Sequence, residues 1–240
     1  MKEDQLNIDE TTLSVDLIDA TEAVKDSRFE DALKLLRIIL KEHPDHIDSL
    51  YIAAVSTRYL KKFDDSKKYI ENLMLIAPDM GRAYQELGHL NRDMGNEEKA
   101  VVHYRQACEL NPALLAAWNS LYKYFVKNQN KPAADHALEQ INKLQSLPGV
   151  LLYIDQILNE GRLGLAEDKC RHFLKKHPTH SYAMSLLAEI ANRLGYFDDA
   201  EFLLEKAVEF KPDDGDLRMK YASILRKKQK FTKTMEQVNI

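Results

Sequence analysis

Glycine and proline are scarce in this chain of 240 residues, which contains 8 Gly and 7 Pro. A β-sandwich or β-barrel needs many tight turns, and a phosphate-binding loop needs clustered glycines. The shortage argues against both and indicates a mostly helical protein. The hydrophobic fraction of 45% and the charged fraction of 30% are typical of a folded chain and not of a disordered one.

Cysteine is scarcer still, and long apolar runs are absent. Cys108 and Cys170 stand far apart, outside any CxxC motif or disulfide framework, which favours a reducing compartment. The first residues are polar and acidic, unlike a signal peptide. No apolar run approaches the roughly 18–20 residues that cross a bilayer. We therefore expect a cytoplasmic protein with no membrane partner.

An excess of basic charge is also missing, since the formal net charge is −4. Nucleic-acid-binding proteins usually carry a basic footprint, so we expect no nucleic-acid partner. The charge is uneven, however: residues 1–31 hold ten acids and three bases, and residues 217–235 hold seven bases and no acid. The stretch 226–230 is interpreted as a solvated helix end, as a contact for an anionic partner or a downstream domain, or as one pole of a weak, salt-sensitive head-to-tail self-association.

What the chain does have is an internal period of 34 residues, marked by Pro44, Pro78 and Pro112 and again by Pro178 and Pro212. Small residues recur twelve and twenty-four positions before most of these prolines, where two successive helices approach closely. A turn position recurs seventeen before them, at Ser27, Lys61, Gly95, Gly161 and Gly195. We expect left-handed backbone angles at this turn, and each proline ends a second helix.

The landmarks coincide best in two stretches, Tyr84-x2-Leu87-Gly88 with Gly95, Ala100-x3-Tyr104, Ala107 and Pro112, and Met184-x2-Leu187-Ala188 with Gly195, Ala200-x3-Leu204, Ala207 and Pro212. With these residues the sequence resembles the tetratricopeptide repeat family. The resemblance implies an all-α fold, a right-handed superhelical solenoid of stacked antiparallel helix pairs. It predicts six full repeats and one incomplete repeat in residues 13–240, with 1–12 disordered or forming an N-terminal cap. Because the seventh repeat stops before its proline, we expect the natural chain to continue.

The resemblance also implies that the first helix of each hairpin lines a concave groove that binds peptides. The residues expected to face it are Arg58, Arg82, Gln85, His89, Arg92, Asn119, Lys123, Lys127, Asn159 and Asn192. Among them the second to fourth repeats present Arg or Lys at five positions with few acids. Since Arg and Lys give charge-assisted hydrogen bonds to carboxylates, this region is a candidate binding site for an acidic peptide. The alternative is that these are merely solvated helix faces.

No residue pattern points to catalysis, a metal or a cofactor. The motifs 43–46 and 177–180 both read His-Pro-x-His, but they occupy distant corners and two histidines do not complete a structural zinc site. We interpret them as corner residues of the repeat. Cys108 and Cys170 are expected to be buried small apolar residues, not nucleophiles.

The leading functional hypothesis is a non-catalytic scaffold that binds a protein or peptide in its groove. A rival hypothesis is the front part of a larger bacterial enzyme, serving substrate or partner docking. The order of repeats, with the hairpin from Tyr221 to Phe231, is similar to bacterial proteins that carry tetratricopeptide repeats ahead of a sulfotransferase domain. An RNA-binding helical repeat is a third possibility, which the acidic balance disfavours.

Overall fold

The structure, a computed structural model, describes residues 15–230 and 236–237, and every regular element in them is an α-helix. Helix α1 covers residues 15–25. The helices after it are α2 (Phe29–Glu42), α3 (Ile47–Tyr59), α4 (Phe63–Ile76), α5 (Gly81–Asp93), α6 (Glu97–Leu110), α7 (Leu115–Lys127), α8 (Lys131–Gln145), α9 (Gly149–Asn159), α10 (Leu163–Lys176), α11 (Ser181–Arg193), α12 (Phe197–Phe210) and α13 (Gly215–Lys227). The all-α class is confirmed for these residues. The predicted disorder or cap at 1–12 and the helix predicted near Phe231 lie outside them.

The helices belong to two compact units, Met1–Lys143 and Leu144–Ile240. In the first unit α3 packs on α4 and α5 on α6, and in the second α11 packs on α12. A short turn joins each of these pairs, so its two helices form an antiparallel hairpin. First helices of successive hairpins also touch, α3 with α5 in the first unit and α11 with both α9 and α13 in the second. Each unit is therefore a stack of helical hairpins.

The turn inside each hairpin has the same backbone geometry throughout. It is marked by seven residues with positive φ, namely Ser27, Lys61, Gly95, Gln129, Gly161, Gly195 and Gln229. The next residue then closes the turn on a carbonyl five residues back, as Asn96 N does on Asn91 O at 2.8 Å, which is the Schellman pattern. The predicted left-handed turns are confirmed. Gln129 and Gln229 hold the same turn position in the two predicted repeats that no proline marks.

The irregular spacing between Pro112 and Pro178 has its origin in α9. This helix has 11 residues, whereas α3, α5 and α11 have 13, and it begins directly after Pro148. The altered corner expected there is thus a shortened first helix. Ile154, which replaces the usual small residue, is fully buried in α9 and joins the core of the second unit with Leu151 and Ile190.

The close approach of the two helices in a hairpin depends on the small residue of the first helix. A Cβ on Gly88 would lie 2.6 Å from two ring carbons of Tyr104 in α6. That ring cannot move away easily, because it is buried and its hydroxyl bonds His89 Nδ1 at 2.7 Å. In the preceding hairpin Ser66 Oγ donates to Ala54 O at 2.9 Å, so the small side chain there also joins the two helices.

No helix in residues 15–230 is both long enough and apolar enough to cross a membrane.

Gly88→Ala should destabilise the protein by about 1–3 kcal/mol, because the added methyl group overpacks against the Tyr104 ring. Gly164→Ala is the matched control, since no atom lies within 4 Å of the added Cβ. Alanine is the better helix former by roughly 0.5–1 kcal/mol, so the control should be neutral or stabilising. Urea unfolding followed by circular dichroism measures both variants. Similar free energies of unfolding for the two would contradict the close approach at Gly88.

Candidate functional site

A cleft in the first unit lies where the end of α5 meets α6 and α7. Its volume is about 160 Å³. Pockets for small molecules and cofactors usually measure roughly 300–1,000 Å³, so this cleft suits one or two side chains of a larger partner. We call it the basic cleft, and its lining residues are Arg92, Glu97, Ala100, Val101, Tyr104, Ser120, Lys123, Tyr124 and Lys127.

Three cations surround the basic cleft, and they differ in how far they are neutralised. Arg92 NH2 lies 2.8 Å from Asp93 Oδ1, with 47% of the arginine side chain exposed. Lys127 Nζ lies 2.7 Å from Glu97 Oε2. Lys123 is exposed, and no carboxylate of residues 15–230 pairs with its ammonium. The structure thus brings three of the five predicted groove cations together and leaves one of them without a counter-charge.

The inner wall of the basic cleft is aromatic and neutral. Tyr104 is buried, and burial raises the pKa of its hydroxyl. Burial, aided by the positive charges of Arg58 and Arg92, lowers the pKa of His89 to about 4. The imidazole that supports Tyr104 is therefore uncharged at neutral pH. His89, a predicted groove residue, acts from behind the cleft and does not line it.

Arg58, also expected to face the groove, joins two repeats instead. Its side chain is 6% exposed, with Nε 2.5 Å from Glu86 Oε1 and NH1 2.7 Å from Asp93 Oδ2. Burial raises the pKa of Glu86 despite this pairing. Partial burial also opposes ionisation of Asp93, but hydrogen bonds from Arg58 and Arg92 outweigh it and lower the pKa of that carboxyl. Loss of one partner from a buried ion pair costs about 3–5 kcal/mol, so Arg58 stabilises the stack of α3 on α5.

Three further predicted groove residues lie outside the basic cleft. Arg82 NH2 is 3.5 Å from Asp48 Oδ1, again between α5 and α3. Gln85 is 8% exposed, and its Oε1 is buried without a hydrogen-bond partner in the described part of the chain. Asn119 Nδ2 donates to the carbonyl of Leu115 within its own helix at 2.8 Å.

The remaining two predicted residues, Asn159 and Asn192, belong to the second unit. Asn159 Nδ2 donates to Asp155 O at 2.9 Å, which lies one turn back in the same helix. Asn192 Oδ1 accepts from Lys227 Nζ at 2.7 Å, which links α11 to α13. Both amides already hold intramolecular partners.

Part of the chain matches a known family. Two segments, residues 81–114 and 181–214, match the family model for the tetratricopeptide repeat. These two segments are tetratricopeptide repeats. The matched segments coincide with the α5–α6 and α11–α12 hairpins, and the basic cleft lies against the first of them.

Two solved structures of low sequence identity support the tetratricopeptide-repeat fold. PilF of Pseudomonas aeruginosa is 14% identical, with a TM-score of 0.51 over 91% of this chain and 98% of that protein. A chain in the structure of Naa15/Naa10 bound to HypK-THB is 18% identical, with a TM-score of 0.50 over 94% of this chain. This chain spans only 35% of the length of that one.

The corner histidines of the tetratricopeptide repeats have a role that the sequence analysis missed. His46 Nδ1 accepts a hydrogen bond from Ser49 N at 3.2 Å, and His180 Nδ1 accepts one from Ala183 N at 3.3 Å. Each imidazole therefore caps the first helix of the next hairpin, as Asp214 does for α13. The sequence could have predicted these helix caps, because both histidines directly precede a helical pattern. Within residues 15–230 and 236–237, no group of three or more potential ligands could hold a metal ion.

The two cysteines are buried, as predicted. Burial raises the pKa of each thiol to about 12, so the thiolate that acts as a nucleophile is not populated near neutral pH. Cys170 Sγ also donates to the carbonyl of Ala183 at 3.1 Å. Both side chains belong to the core of their unit.

Part of the basic stretch near the end of the chain is neutralised within the second unit. Lys228 pairs with both Asp198 and Glu201, and Lys230 Nζ lies 2.6 Å from Glu201 Oε1. These links join the start of α12 to the end of α13. Head-to-tail self-association stays a prediction. It would depend on the other basic residues of the stretch, Arg226 and Lys227.

Acid should weaken the fold through His89. The unfolded histidine takes up a proton near pH 6.5 and the folded one near pH 4, so the unfolded state binds more protons between these values. Stability present at pH 7 should therefore fall by up to about 3 kcal/mol as the pH drops from 7 to 4. His89→Gln should remove this part of the pH dependence, whereas His43→Gln, at an exposed corner, should retain it. Urea unfolding at several pH values measures the slopes, and parallel curves for wild type and His89→Gln would contradict the assignment.

Proposed function

We propose that this chain is a non-catalytic protein-interaction scaffold and that its basic cleft binds an extended acidic segment of a partner protein. The observation that carries the proposal is Lys123, an exposed ammonium beside Arg92 and Lys127 that no carboxylate of residues 15–230 neutralises. The tetratricopeptide-repeat fold supports the general role, because stacked repeats present extended surfaces to partners. A structurally similar chain comes from an assembly, Naa15/Naa10 bound to HypK-THB.

The charges favour a carboxylate ligand. An acidic side chain in the cleft would accept a charge-assisted hydrogen bond from Lys123, and such bonds are roughly twice as strong as neutral ones. Among residues 15–230, Lys123 has no bonded partner that this side chain would have to displace. At Arg92 it would add to the existing bond with Asp93, because the guanidinium is half exposed and has five donors.

The shape favours a segment of a protein over a free anion. Val101, Tyr104 and Tyr124 supply an apolar wall next to the cations, and Tyr124 is only partly buried. An apolar side chain next to the acidic one would cover this wall. We therefore expect the ligand to combine carboxylates with aliphatic or aromatic residues.

Lys123→Glu should weaken binding of a short fluorescein-labelled peptide rich in Glu and Leu by at least about tenfold, or ~1.4 kcal/mol, because repulsion replaces a charge-assisted contact. Arg92→Glu should weaken it similarly. Lys68→Glu is the matched control, an exposed lysine of α4 with the same change in net charge. Fluorescence anisotropy at low salt measures all four proteins.

The peptide has its own control, in which each Glu is replaced by Gln. This control should bind wild type and Lys123→Glu equally weakly, since it offers no carboxylate to Lys123. Unchanged affinity of the Glu peptide for Lys123→Glu would refute the site. An equal loss in Lys68→Glu would show attraction by net charge alone and would also refute it.

A further inference from the structure

A second, larger cleft lies wholly within the second unit, between α10 and α12. Its volume is about 400 Å³. Among its lining residues, the buried Leu187 and Ile190 of α11 form its floor, and the exposed Leu194, Tyr196 and Phe202 form its edge. We call it the aromatic cleft. It shares no residue with the basic cleft, so the inference drawn from it is independent of the proposed function above.

The two aromatic residues at its edge are unusual for their positions in the repeat. Phe202 stands ten residues before Pro212, where the other proline-marked repeats have Lys34, Lys68, Val102 and Asp168. Tyr196 stands sixteen before it, where they have Arg28, Lys62, Asn96 and Arg162. At the position of Tyr196, all four of the other proline-marked repeats carry a polar residue. At the position of Phe202, three of the four do, so the fold accepts a polar residue at both. The aromatic pair is not required for the hairpin itself.

Both rings are open to solvent in the structure. Tyr196 is 60% exposed and Phe202 59% exposed, and Leu194, which also lines the cleft, is 42% exposed. A contiguous apolar surface of this kind marks an interaction site more often than scattered single residues do. Aromatic side chains in such patches supply much of the binding energy at protein interfaces.

The charges around the aromatic cleft define what it can accept. Helix α12 carries five carboxylates against one lysine. At the cleft itself, Glu167 is paired with Arg171 at 2.8 Å. Asp199 is exposed and has no cation from residues 15–230 paired with it. Asp199 is therefore the charge at this cleft that a cationic side chain of a partner would complement.

We propose that the aromatic cleft is a docking site for a partner-protein segment that places a bulky apolar side chain on Tyr196 and Phe202 and a neighbouring Lys or Arg on Asp199. The apolar residue covers the exposed rings and the floor of α11. The basic residue pairs with the carboxylate of Asp199. This chemistry is opposite in sign to that of the basic cleft, so one chain can hold two different segments.

The test uses the full chain and a short fluorescein-labelled peptide rich in Lys and Leu. Phe202→Gln should weaken its binding by about tenfold or more, as expected for an aromatic anchor. Phe210→Gln is the matched control, because Phe210 is an aromatic of the same helix, is 49% exposed and does not line the cleft. Tyr196→Asn restores the residue type of Asn96 and should also weaken binding without unfolding the repeat. Asp199→Asn should weaken binding by about threefold or more.

Several results would overturn the proposal. One is the absence of saturable binding of the Lys and Leu peptide, and a second is an equal loss of affinity for it in Phe202→Gln and Phe210→Gln. A third is equally tight binding of a peptide with Glu in place of Lys. Each of these results would contradict the docking site. The other possible occupant of the cleft is a second copy of this chain, which light scattering would detect as a dimer. A dimer that Phe202→Gln abolishes would overturn the assignment to a partner segment.

Discussion

A helical hairpin has two apolar faces and can cover only one of them with its own helices, so each repeat is completed by the next. Every other feature of the two units depends on this constraint. Within a hairpin, a small residue such as Gly88 faces a large one such as Tyr104, so the two helices pack closely and present one surface to the next repeat. The constraint also brings first helices into direct contact, with polar links between residues about one repeat apart. Arg58 to Asp93, Lys220 to Ser185 and Lys227 to Asn192 are such links.

These links change how a charged helix face should be interpreted. A cation on a first helix lies next to the first helix of the adjacent repeat, and several of them bond to it. Arg193 NH1, for example, donates to Leu158 O at 2.7 Å. Charge on the surface is therefore a poor guide to binding in this fold, whereas a cation that the neighbouring repeat leaves unpaired is a better one. Lys123 is such a cation in the first unit. In the second unit Asp199 is a carboxylate with no cation of residues 15–230 paired with it.

The fold could be predicted from the sequence because its determinants are local and repeated: the prolines, the small residues and the turn positions each depend on one or two neighbouring helices. The site could be predicted only in part. The spacing placed Arg92, Lys123 and Lys127 on first helices. Arg58 is buried because it pairs with Glu86 and Asp93 of the next repeat, and the 34-residue period does not predict which side chains pair. The aromatic cleft could not be predicted from the repeat, because Tyr196 and Phe202 are residues in which this repeat differs from the others.

The central claim is that Lys123 is left open for a partner, while Lys127 of the same helix and Lys228 are paired within the fold. Competitive acetylation at low reagent concentration, followed by mass spectrometry, measures the reactivity of each lysine in one sample. Lys123 should be labelled much faster than Lys228, which is bonded to Asp198 and Glu201, and the Glu and Leu peptide should protect Lys123 but not Lys68. Labelling of Lys123 that is as slow as that of Lys228, or that the peptide leaves unchanged, would contradict the account.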